Sequence, residues 1–243
     1  MLRLPLLFGL LVSAPSGDQS PDQAAIPLQS LKLNLDALTK WGTRKYTFGP
    51  TDQPTAGIWT LTTKVGEDSL VLEDQLIVPE GGQANSIRWR STCSKNGLLS
   101  LKALECEEKT GGSVRRTIRA VIEDAKARIE YEQDGSTRKE EVDWPATSVT
   151  ELGMFRIVTL LPREEGKRYR IENYSRSRLL RMRGEHVLEC KGLDQETEKA
   201  EKWTKFELKS TSDRRVILSY WVSDDGVLQR GSAENETFRL VRE

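Results

Sequence analysis

The feature that most restricts what this chain can fold into is a rhythm of short extended runs. Runs rich in β-branched and aromatic residues at 58–65, 70–78, 86–93, 98–106, 114–122 and 128–132 stop at turn-forming residues. The stops are Gly66-Glu67-Asp68, Pro79-Glu80-Gly81-Gly82, Asn96-Gly97, Thr110-Gly111-Gly112, Glu123-Asp124 and Asp134-Gly135. Such residues accept positive φ or form Asx turns, so each stop favours a tight reversal. A chain that reverses this often satisfies its backbone by pairing successive strands, and strands about ten residues apart read as a meander. The pattern resumes at 167–174, 178–183, 186–190, 203–208, 215–222, 227–230 and 237–241, with Ser223-Asp224-Asp225-Gly226 as a hairpin turn. In 167–174, alternation turns Tyr169 and Ile171 inward while Arg168, Arg170 and Glu172 face out. The charged stretch 193–202 reads as a loop or a short solvated helix.

One segment breaks the period. Ser148 and Glu151 match a capping box, and Leu152, Met154, Phe155, Ile157, Val158, Leu160 and Leu161 follow before Pro162. Gly153, Arg156 and Thr159 form its polar strip. A helix apolar round most of its girth must be covered on nearly all sides. The fold class is therefore mainly β: a strongly curved antiparallel meander sheet, half-barrel or open barrel, wrapping one short α-helix at 148–161. Residues 31–243 form a single curved β domain, with two half-sheets (31–145 and 163–243) flanking the helix as a further division. Asn96-Gly97-Leu98-Leu99 and Asp225-Gly226-Val227-Leu228 each follow a run bearing Trp, at 89 and 221, a faint echo between the halves.

The start of the chain sets the expected compartment. Met1-Leu2-Arg3, an apolar run at 4–14 and Pro15-Ser16-Gly17-Asp18 have the three-part form of a secretory signal peptide, 1–16, with cleavage after Ser16. The apolar run is too short for a hydrocarbon core of about 30 Å. Residues 17–30, polar and free of aromatics, read as a flexible leader. The expected location is periplasmic or extracellular. The 37 basic and 37 acidic residues balance, so no global field draws the chain to nucleic acid.

Little in the sequence supports chemistry. His186 is the one histidine, and any nucleophilic site must use it. Cys93, Cys106 and Cys190 lack the close pairs of structural zinc. Hairpin register sets Cys93 and Cys106 apart, leaving either no bridge or one from Cys190 to one of them. No glycine-rich phosphate cradle occurs. Carboxylates sit in turns or alternate outward, with no local sign of a buried acid. A cationic block at 167–183 adjoins an acidic one at 185–201, which pair across strands or present an anion-binding face. Trp59, Trp89 and Trp221 are assigned to the core; exposed tryptophan rows would instead suit sugars.

The helix end Leu160-Leu161-Pro162, the segment Gly166-Lys167-Arg168-Tyr169 and the hairpin from Tyr220-Trp221-Val222 through Ser223-Asp224-Asp225-Gly226 to Val227-Leu228 resemble a group of exported bacterial β proteins. That group is related in shape to the lipoprotein-carrier (Lol-like) half-barrels. The resemblance covers about residues 40–243. It implies a curved sheet around a central helix and, by analogy with the carriers, acyl chains held in the concavity. The carriers have more than one plugging helix; this sequence offers one. The expectation is a non-catalytic protein without metal or cofactor, binding a lipid-like ligand or an envelope protein. Met154, Phe155 and Val158 from the helix would face Trp59 and Trp221 across any ligand cavity. A module with a filled core and a carbohydrate-binding protein are the alternatives.

Overall fold

The computed structural model describes residues 24–53, 55–80, 83–95, 98–176, 181–182, 184–196, 201–233 and 236–241. The expected signal peptide, the first part of the leader, the Asn96-Gly97 turn and most of the 178–183 run lie outside them.

The first meander comprises β2 (Thr43–Pro50), β3 (Gly57–Val65), β4 (Ser69–Glu80), β5 (Gln83–Ser94), β6 (Leu101–Thr110), β7 (Ser113–Glu123), β8 (Lys126–Gln133) and β9 (Ser136–Asp143), preceded by β1 (Ile26–Pro27). Between the halves lie β10 (Ser148–Thr150) and α1 (Glu151–Ile157), the latter extended by a 3-10 turn, Val158–Leu160. The second half holds β11 (Arg168–Ile171), β12 (Asn173–Arg176), β13 (Arg181–Met182), β14 (His186–Glu196), β15 (Glu201–Ser210), β16 (Val216–Val222), β17 (Leu228–Ala233) and β18 (Glu236–Leu240). Fifteen strands form one sheet in the order β1-β11-β14-β15-β16-β17-β18-β2-β3-β4-β5-β6-β7-β8-β9, and β10-β12-β13 form a small second one. The large sheet is not closed: β1 and β9 are its edges.

Three of the two-residue hairpin loops have positive φ at both central positions: Gly111 and Gly112, Asp124 and Ala125, and Asp134 and Gly135. That is the turn whose twist matches the right-handed twist of its strands. The seam between the two meanders is the pair β18–β2, where Phe238 faces Phe48 and Leu240 faces Tyr46. Phe238 also stands over Gly231 of β17, where an added Cβ would lie 1.9 Å from the ring. A side chain there would lift Phe238 off the sheet.

Several sequence expectations change. The expected helix 148–161 is shorter: Ser148–Thr150 run extended, parallel to β12, and the cap is Thr150, whose Oγ1 accepts from Gly153 N at 3.1 Å. Two successive β-branched residues beside an available strand favour pairing over a first helical turn. Ser148 instead donates to the Pro145 carbonyl. In the stretch 193–202, read as a loop or a short solvated helix, the described residues 193–196 and 201–202 continue the ladder of β14 and β15, with Asp194 opposite Trp203 and Gln195 opposite Lys202. A bulge between Cys190 and Leu193, at Gly192 with φ 77, breaks the alternation that would have revealed it. The flexible-leader reading fails from Ile26 on: β1 pairs with β11, and Leu28 is fully buried. Besides β1 and β10, the strands β2 and β9, the latter a charged edge strand, were not expected from the sequence.

Candidate functional site

The helix lies against the inner face of the sheet. Residues Leu152 through Thr159 are all buried. Phe155 is enclosed by aromatic rings, with edge-on contacts to Trp59 at 4.9 Å, Phe238 at 5.4 Å and Tyr220 at 5.9 Å between centroids. These come from β3, β18 and β16, so the ring plugs the seam between the meanders. Met154 and Val158 are likewise fully buried. Four of the five sequence-selected residues therefore belong to one packed interior, Trp59 among them.

Trp221 does not. In β16 Tyr220 turns inward and Trp221 outward, because alternate residues of a strand take opposite faces. Its indole Nε1 donates to Asp194 Oδ2 at 2.7 Å. The Arg230 guanidinium sits 4.6 Å and the Lys205 ammonium 5.4 Å from its ring centroid. The assignment of Trp221 to the core, facing the helix, is thus corrected; Tyr220 holds that place. Trp89 is buried on the inner face, so the echo between the two Trp-bearing strands stops at side-chain direction.

The strongest polar arrangement in the interior was missed in the sequence. Arg156, placed on a polar strip, is fully buried, and so is Asp74 of β4. The guanidinium grips both carboxylate oxygens, Nη2 to Oδ1 at 2.6 Å and Nη1 to Oδ2 at 3.1 Å. Its other donors reach Thr63 Oγ1 and the carbonyls of Thr62 and Leu152. All five N–H groups are satisfied, and Trp41 lies beneath the guanidinium at 5.0 Å. Burial pushes the Asp74 carboxyl above the usual carboxylate range, against the pull of Arg156. The guanidinium is saturated by protein groups and both Asp74 oxygens accept from it, which suits an anchor for α1 on β3 and β4 better than a reactive centre. The signal was there: Leu70, Leu72, Asp74 and Leu76 alternate, and the three leucines fix the inward face.

His186 is buried in β14, its Nδ1 3.0 Å from the Gly184 carbonyl oxygen and its ring 5.0 Å from that of Tyr174. The three cysteines are free and buried, and burial holds the Cys93 thiol up at about 12. Cys106 faces Trp89 and Ile118 across the sheet, not Cys93, as the register argument required. Among the described residues no three His, Cys, Asp or Glu side chains gather as metal ligands. No described helix is long and apolar enough to cross a membrane.

The outer face carries two different charge patterns. Across the first meander, Glu73, Arg90, Glu105, Arg119, Glu130 and Lys139 stand opposite one another on six successive strands, alternating in sign at each step. Lys139 reaches Glu130 at 3.0 Å, and Lys64 reaches Glu73 at 2.9 Å. Two surface grooves lie here, one between Arg88, Glu105 and Thr117 and one between Val121, Arg128 and Lys139, each rimmed by both signs. The second pattern runs along the row Lys205, Trp221, Arg230 and Arg239 on β15 to β18 and contains no acid. Among the described residues of the two charged blocks, Arg168 stands opposite Glu189, which also holds Lys191 at 3.0 Å and Lys209 at 2.7 Å.

The sequence matches no family model and no curated protein. Among solved structures, the chain is similar to a β-barrel-like protein of the domain of unknown function DUF1849 from Brucella abortus. The identity is 10%, with 82% of this chain and 95% of that one covered and a TM-score of 0.49. It is also similar to a DUF1089 family protein from Pseudomonas aeruginosa, at 13% identity, 70% and 86% coverage and a TM-score of 0.39. A porin-like protein from Bacteroides uniformis follows at 12% identity, 76% and 78% coverage and a TM-score of 0.26. At these identities and scores no activity passes from those proteins to this chain. The architecture itself defines the class: an open, mainly β protein with one large curved sheet and, among the described residues, one short α-helix packed on its inner face.

Proposed function

We propose that the protein is a non-catalytic, exported binding protein of the cell envelope that meets its partner on its surface. The observation that carries this reading is the packing of Phe155 among Trp59, Tyr220 and Phe238. Where a carrier would hold an acyl chain, this chain places its own side chains. The bidentate Arg156–Asp74 pair supports the same view, since it ties α1 to the sheet rather than leaving it ready to swing away. The signal-like start of the sequence supports export.

Carriage of a lipid-like ligand is the second reading, favoured by the wholly apolar contact surface of Met154, Phe155 and Val158 on an open curved sheet. Native mass spectrometry of protein taken from its own envelope fraction separates the two. The surface-binding reading expects a mass equal to the processed chain alone; a stoichiometric acyl adduct would overturn it. Phe155→Ala gives the matching energetic test. A filled core loses about 3–5 kcal/mol on truncation of a buried Phe, whereas a residue lining a cavity loses much less. Urea unfolding measures the difference.

A further inference from the structure

The outer row Lys205, Trp221, Arg230 and Arg239 continues in register through Thr47 to Ile58 and Ile77. Ile58 and Ile77 are directly opposite each other and both are exposed, at 42% and 37%. The next row on the same face, Lys45, Thr60, Gln75 and Arg88, adds two exposed cations before it meets Glu107 opposite Arg88. Acids also border the stretch: Glu207 holds Lys205 at 2.8 Å, and Asp194 is bonded to the Trp221 indole. Cations, an amphipathic indole and paired isoleucines thus share one continuous stretch of the sheet. On the ladder from Glu73 to Lys139, by contrast, acids and bases alternate strand by strand.

We propose that this stretch docks on an anionic lipid surface. Each component has a use there. A negative headgroup field acts on summed charge, so cations that also hold local partners still contribute, at roughly 1 kcal/mol for each Lys or Arg near the surface. Tryptophan suits the headgroup level, where its apolar body and polar N–H are both accommodated. Ile58 and Ile77 supply the apolar contact that a soluble polyanion would not use. The site rests on the reading of an exported, surface-acting protein, and it lies on the face opposite the helix.

The test is co-sedimentation of the full processed chain with vesicles of phosphatidylcholine alone and of phosphatidylcholine with one quarter phosphatidylglycerol. Binding should require the anionic lipid and weaken with salt. Arg230→Gln with Arg239→Gln should weaken it about thirtyfold, from two contributions of roughly 1 kcal/mol. Lys45→Gln with Arg88→Gln, two exposed positions, gives an independent pair should the first fold poorly, and should weaken binding comparably. Ile58→Ser with Ile77→Ser should reduce binding at constant charge. Arg90→Gln with Arg119→Gln, on the alternating ladder, should matter several-fold less. Equal losses from the ladder pair, equal binding to neutral vesicles, or binding to dextran sulfate with none to vesicles would each overturn the proposal. An empty native mass together with no vesicle binding would sink this site while leaving the surface-binding function standing.

Discussion

Glu73 and Asp74 are consecutive carboxylates in β4, one on each face of the sheet, and each has a cationic partner. Glu73 belongs to the wet face, where Lys64 bonds it at 2.9 Å and Arg90 lies 3.6 Å away. The Lys64 hydrogen bond holds its carboxyl below the usual range. Asp74 belongs to the dry face, where Arg156 grips it with two hydrogen bonds, yet burial moves its carboxyl the other way. The comparison teaches that partner geometry alone does not set the worth of an ion pair. In water the ions lose little solvation and gain little; in the interior, desolvation outweighs even bidentate attraction. The inner pair is best understood as a positional lock for α1, and the outer ladder as a solvated surface that holds register without adding much stability.

The largest expected effect comes from splitting the inner pair. Asp74→Ala should cost about 3–5 kcal/mol, because Arg156 is left buried without its counter-charge. Asp74→Leu with Arg156→Met should restore most of that loss or exceed the parent by about 1–4 kcal/mol. Urea midpoints of the three proteins check it; a double variant as unstable as the single would show that the pair does contribute net stability. A much smaller change is expected on the other face. Arg119→Ala removes contacts to Glu130 at 4.0 Å and Glu132 at 3.6 Å, both solvent-screened, and should cost under about 1 kcal/mol. A loss of several kcal/mol there would mean that the ladder acts as a cooperative network.

Acid should separate the two faces by sign. A carboxylate depressed on folding, such as Glu73, contributes stability above its unfolded value of about 4.3, and that contribution disappears as pH falls through the folded value. One raised on folding, such as Asp74, contributes fully below about 3.9 and loses the contribution as pH rises through its folded value. Between about pH 3 and 7, Glu73→Gln should therefore lose stability relative to the parent, while the Asp74→Leu, Arg156→Met protein gains. Parallel drifts in the two would contradict the assignment of opposite shifts.

Particular residues show why some of this was legible. The positive-φ turns at Gly111-Gly112 and Asp134-Gly135 announce hairpins in sequence because only a few residue types tolerate that backbone. Tyr169 and Ile171 were placed inward by alternation, and both are buried. Asp74 was equally legible by parity with Leu70, Leu72 and Leu76, but composition drew it to the surface. Trp221 shows the opposite error, an aromatic assigned to the core by type when its strand turns it outward beside Arg230. Strand β9, Ser136–Asp143, carries five charged residues and no hydrophobic alternation, so its pairing with β8 shows only in three dimensions. Charge on a sheet edge is what keeps that edge from recruiting another strand.

The mainly β class, the succession of hairpins and the one apolar helix can be read from amino-acid order, because turn chemistry and side-chain period act within a few residues. The joining of the meanders at β18 and β2, the closing of Arg156 on Asp74 from 82 positions away and the filling of the seam by the helix emerge in three dimensions alone. Those outcomes depend on contacts between distant segments, whose free energy comes from burial that no local stretch of residues can encode.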